Sequence, residues 1–102
     1  MNRIAMLQEI LAQSPMDTFA RYGLAMEYVN QGDIGLALAE FAQLLEANPD
    51  YAAGYQMAAQ TLMKAGRENE ARKMLEDGIA CATRIRNQHA RAEMEAMLDE
   101  MR

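Results

Sequence analysis

The chain has 102 residues, a formal net charge of −5, and apolar residues at 51% against 25% charged. That size allows one modest core, and that balance belongs to a globular chain, not a disordered tail. The acidic excess works against sequence-blind attraction to nucleic-acid phosphates or anionic lipid, so neither nucleic acid nor membrane is an expected partner.

Ala, Leu and Met dominate the apolar residues and Pro occurs only at Pro15 and Pro49, which predicts helix nearly throughout. Residues 2–12 place Ile4, Leu7, Ile10 and Leu11 on one helical face. The same stretch is interrupted by Gln8 and Glu9 and lacks a small-residue cleavage pattern, so it does not read as a signal peptide. No apolar run is long enough to span a bilayer. With Cys81 alone, no intramolecular disulfide or multi-cysteine metal site is expected, and a reducing, cytoplasmic setting is the default.

Ser14-Pro15 is expected to open the next helix, with Ser as cap, Pro in the first turn and Asp17 favoured there by the helix dipole. Leu24, Ala25 and Tyr28 form its apolar face, Gly32 ends it in the left-handed conformation, and Asp33 caps the helix that follows. Ala37, Phe41, Leu44 and Leu45 supply the facing stripe, and Asn48-Pro49 closes the unit. The pattern then returns after 34 residues. Pro15 and Pro49 stand at that offset, as do Gly32 and Gly66, Ala25 and Ala59, and Ala37 and Ala71, with Leu7, Phe41 and Leu75 in series. A period of this length marks stacked helix pairs that bury one another's faces.

These residues resemble the tetratricopeptide repeat. Residues 18–51 match its pattern through Leu24, Ala25, Tyr28, Gly32, Ala37, Phe41 and Pro49. Residues 52–83 match through Tyr55, Ala59, Leu62, Gly66, Ala71, Leu75 and Gly78. Arg21 departs from it, standing where the first repeat would carry a large apolar residue. The resemblance implies an all-α fold, a right-handed superhelix of antiparallel helix pairs forming a single domain over 1–102. Residues 2–12 would be the second helix of a preceding half-repeat. Residues 88–101, with Ala92, Met94, Met97, Leu98 and Met101 among charges, would be a capping helix. Arg86-Asn87-Gln88 reads as a short break before it, but no Pro or Gly enforces one, and a single helix from 68 to 101 is the alternative.

Little in the chain reads as catalytic, metal-binding or cofactor-binding. His89 lies on a polar stretch, Cys81 sits in a helix between alanines, and Arg84, Arg86 and Arg91 form a local basic cluster. The more informative feature is a set of ten methionines. In the resembled family the first helix of each repeat lines the concave surface. That implies an exposed stripe of Phe19, Tyr22, Met26, Val29 and Asn30 in the first repeat, and of Gln56, Met57, Gln60, Met63 and Lys64 in the second. Phe19, Tyr22, Met26 and Val29 are spaced 3, 4 and 3, on a face distinct from that of Leu24 and Tyr28.

Two readings follow. The first is a non-catalytic scaffold that binds a peptide or helix of a partner protein, with bulky apolar anchors and weak dependence on salt. The second is a self-associating homodimer whose stripe is filled by its own copy. Some members of the resembled family hold the C-terminal carboxylate of heat-shock chaperones with Lys and Asn on successive first helices. Here the matching positions carry Tyr22, Met26 and Met57, which offer a desolvated carboxylate no cation or amide. Titration calorimetry with chaperone tail peptides should therefore register no binding, and micromolar affinity would contradict this assignment of the stripe.

Overall fold

The computed structural model describes residues 2–101. Among these there are six helices and no strand: α1 (Arg3–Gln13), α2 (Thr18–Gln31), α3 (Ile34–Ala47), α4 (Ala52–Lys64), α5 (Glu68–Arg84) and α6 (Gln88–Glu100). They group into two compact units, Met1–Asn48 and Pro49–Arg102.

In the first unit, Leu7 and Leu11 of α1 are buried with Ala20, Leu24, Ala25 and Tyr28 of α2, and with Ala37, Phe41 and Leu44 of α3. Ala25 and Ala37 have no exposed surface at all, as small residues at a close helix crossing should. Asp17, not Ser14, caps α2, accepting a hydrogen bond from the Ala20 N–H at 3.0 Å. Its carboxylate reaches the unpaired amides of the first turn and carries the charge that the positive helix end favours. Ser14 belongs to the end of α1, where its N–H donates to the Ile10 carbonyl at 2.8 Å, and Pro15 and Met16 form the turn between. Arg21 does not need to be apolar at its position. Its guanidinium donates to Glu40 at 2.7 Å and to the Pro15 carbonyl at 3.2 Å, tying the α1–α2 turn to α3. Gln8 donates to the Tyr28 hydroxyl at 3.3 Å, and Arg3 pairs with Glu27 at 2.8 Å, joining α1 to α2. Ile10, expected on the buried face, is 41% exposed. Leu7 and Leu11 take the face toward α2, and Ile10 lies beside it.

Gly32 ends α2 at φ +79°, which brings the Asp33 N–H back to the Tyr28 carbonyl at 2.9 Å. Asp33 then caps α3 through the Leu36 N–H. Gly66 repeats this closure in the second unit at φ +76°, with the Arg67 N–H on the Leu62 carbonyl at 2.9 Å. Glu68 and Glu70 then stand in the first turn of α5, where the dipole favours them.

The second unit buries Ala58, Ala59 and Leu62 of α4 with Ala71, Leu75, Gly78, Cys81 and Ala82 of α5. Of the two arrangements open for residues 68–101, the broken one is found. Arg86 takes φ +61°, the Asn87 N–H donates to the Ala82 carbonyl at 2.9 Å, and the Asn87 side chain caps α6 through the Ala90 N–H at 3.0 Å. Helix α6 then folds back so that Met94, fully buried, lies over Gly78. A methyl group on Gly78 would stand 2.5 Å from the Met94 sulfur and 2.7 Å from the Tyr55 Cβ, so glycine is required where these three helices meet. Ala92, expected on the apolar face of α6, is exposed, and Ala90 is buried in its stead. The face runs through 90, 94, 97, 98 and 101, one helical row that leaves 92 on the far side.

Nothing approaches within 4 Å of a Cβ built on Gly66, so substitution there meets a backbone cost alone. Gly66→Val forces a branched residue into the left-handed region at about 1–2 kcal/mol. By thermal unfolding its midpoint should fall by roughly 5–15 °C, and that of the exposed Arg91→Ala by much less.

Candidate functional site

Helix α2 is apolar on two faces. One is the core face of Ala20, Leu24, Ala25 and Tyr28. The other carries Phe19, Tyr22, Met26 and Val29. Phe19, two residues past the Asp17 cap, is 77% exposed, while Tyr22, Met26 and Val29 are half-buried and Asn30 is exposed. The Tyr22 ring meets Phe41 of α3 edge-on, with centroids 6.4 Å apart and planes at 66°. This is a favourable aromatic geometry that fixes the ring against the core beneath it. The stripe is therefore mounted on rigid packing, with its most exposed member at the helix start.

In the second unit the stripe of α4 is more polar and partly engaged. Met57 and Met63 are half-buried, and Gln60 and Lys64 are exposed. Gln56, expected at the margin of the stripe, donates to Glu93 of α6 at 2.9 Å. It is thus tied to the helix that closes this unit. The five residues of α4 share one broad side of the helix without forming the narrow apolar line seen on α2.

Residues 28–94, about two thirds of the chain, match the family model of the tetratricopeptide repeat. The chain belongs to the tetratricopeptide-repeat family. A TPR repeat-containing protein of Pseudomonas aeruginosa is 28% identical over 95 residues, covering 93% of this chain and 90% of the relative. The solution structure of a tetratricopeptide repeat domain protein from Salinibacter ruber superimposes with a TM-score of 0.81 at 29% identity, over 85% of this chain and 88% of that one. The type III secretion translocator chaperone SycD of Yersinia enterocolitica gives a TM-score of 0.85 over 96% of this chain and 68% of that one. At 16% identity this last likeness is one of fold alone. Tetratricopeptide repeats are protein-interaction modules and in general non-catalytic scaffolds, and this chain has the all-helical repeat fold of the family.

Other chemistry-bearing residues of this tetratricopeptide domain are placed as surface or core elements. The His89 side chain is 87% exposed and pairs with Glu93 one turn on. In the basic cluster, Arg84 binds Asp50 at 2.8 Å and the Pro49 carbonyl at 3.1 Å, and Arg91 lies 3.4 Å from Glu95. Arg86 is the left-handed residue that ends α5. Among the described residues no group of three or more His, Cys, Asp or Glu is placed to hold a metal ion, and no helix is long and apolar enough to cross a membrane. Sequence reasoning missed a second set of exposed apolar side chains in the first unit: Met6, Ile10, Met16 and Leu36. Only the absence of a partner helix distinguishes such positions, and periodicity does not record it.

Cys81 is fully buried, and burial pushes its thiol up, with the nearby Arg84 guanidinium only partly opposing this. A raised thiol holds less thiolate at neutral pH, and thiolate is the reactive form. Labelling of Cys81 by a disulfide reagent should be slower in the native domain than in urea by roughly tenfold or more. Equal rates would show the thiol to be accessible.

Proposed function

We propose that this domain is a non-catalytic adaptor that binds a peptide or helix of a partner protein along the outward faces of its first helices. The α2 face of Phe19, Tyr22, Met26 and Val29 supplies the apolar anchoring. The residues Gln56, Met57, Gln60, Met63 and Lys64 of α4 contribute a second, more polar set. The supporting observation is Phe19, 77% exposed at the head of an apolar line whose other members are half-buried. Met and aromatic side chains are adaptable linings for apolar segments. Burying one bulky anchor there is worth roughly 1.5–3 kcal/mol, so two well-placed anchors separate micromolar from millimolar affinity. With anchoring of this kind, affinity should vary little with salt.

Met26→Glu places a carboxylate in the middle of the α2 line. It should abolish capture of the partner from the native cell while far-ultraviolet circular dichroism and the melting midpoint stay near those of the parent. Light scattering over a concentration series reads the rival case. A parent that is dimeric and a variant that is monomeric would assign the stripe to self-association. A variant that melts far below the parent would assign Met26 to the core.

A further inference from the structure

We propose that the outward face of α1, built on Met6 and Ile10 with Glu9 between them, docks a cationic amphipathic helix of a partner protein. It is a surface separate from the α2 stripe. Position 10 stands 34 residues before Leu44 and 68 before Gly78. Both of those are buried, and each lies against the first helix of its own pair: Leu44 shares a small cavity with Thr18 and Arg21 of α2, and Gly78 abuts Tyr55 of α4. Among the described residues α1 has no first helix paired to it, and Ile10 is left 41% exposed with Met6 at 45%. Among the described residues, nothing stands at α1 in the place that an antiparallel helix occupies in both complete pairs, and a helix is the shape that fits it.

The charge of the occupant follows from Glu9 and from the acidic balance of the unit that carries it. Glu9 lines the same shallow depression as Met6 and Ile10, a space of about 190 Å³. Residues 2–48 carry six carboxylates against two arginines, and both arginines are held by carboxylates, Arg3 by Glu27 and Arg21 by Glu40. A helix with apolar anchors flanked by Lys or Arg complements this face. A second copy does not: symmetric pairing sets Glu9 against Glu9 and one acidic unit against another. The amphipathic helices α5 and α6, for their part, bury their apolar faces within their own unit.

The test is calorimetry of the whole chain with two synthetic helical peptides that share a leucine face, one flanked by lysine and the other by glutamate. The lysine peptide should bind, its affinity falling steadily as salt rises, with the glutamate peptide at least about tenfold weaker. Ile10→Ser should weaken the lysine peptide about tenfold and Glu9→Lys should weaken it as well. Leu36→Ser, which removes an exposed apolar side chain elsewhere in the unit, should leave it unchanged. Circular dichroism checks that each variant keeps the parental helix content. Equal affinity for the two peptides, or an Ile10→Ser variant that binds like the parent, overturns the proposal. So does a chain that sediments alone as a dimer and becomes a monomer with Ile10→Ser.

Discussion

Two helices crossing at close range leave room at the crossing for little more than a methyl group. In the first unit α2 packs on α3, and Ala25 and Ala37 are without exposed surface. In the second, α4 packs on α5, and Ala59 and Ala71 are buried in the same way. With small residues buried on both helices of each pair, the bulk of the core comes from Leu24 and Phe41 in one unit and from Leu62 and Leu75 in the other. In α2 the buried side is Ala20, Leu24, Ala25 and Tyr28, whereas in α4 it is broader and takes in Gly54 and Thr61 as well. The other side of α2 carries Phe19, Tyr22, Met26 and Val29, of which only Phe19 is exposed and Tyr22 also leans on Phe41.

Electrostatics divides the units in a different way. Asn2, Asp17, Asp33 and Asn87 each satisfy the first-turn amides of a helix, and these polar residues serve the backbone. Ion pairs then differ between the halves. The second unit holds most of its paired charges in local pairs such as Lys73 with Asp77 and Arg67 with Glu70, with Arg84 on Asp50 the long-range exception, all exposed contacts that contribute little to stability. The first unit has only two cations, and both bridge helices. Its apolar exposure and its uncompensated acid therefore coincide.

Much of the fold was legible because the 34-residue offset repeats both bulk and turn chemistry. Gly32 and Gly66 end helices in the left-handed conformation, as their spacing implied, and the predicted apolar residues of α2 to α5 are buried except Leu45, which lies half-buried beside Leu44 at the edge of the α3 stripe. The α2 cap was misplaced because Ser14-Pro15 and Asp17 both carry starting signals, and only the geometry shows which one reaches the Ala20 amide. The break after α5 was ambiguous because Arg86, not glycine, makes it. At the candidate surface, helical spacing was enough to find the α2 line. It could not reveal that Tyr22 leans on Phe41, that Gln56 is held by Glu93, or that Ile10 stands open. Those depend on which helix comes to lie alongside, which no local pattern encodes.

Arg86 has a consequence beyond its place in the chain. A non-glycine residue held at φ +61° costs about 1–2 kcal/mol relative to continuing the helix, and what offsets that here is the seating of Met94 on Gly78 and the burial of Ala90. Locally the bend is held by the Asn87 N–H on the Ala82 carbonyl and by the Asn87 side chain on the Ala90 N–H. A change at Gly78 that unseats Met94 therefore leaves only these two hydrogen bonds to offset the strain at Arg86, so the strained turn and the glycine contact stand or fall together.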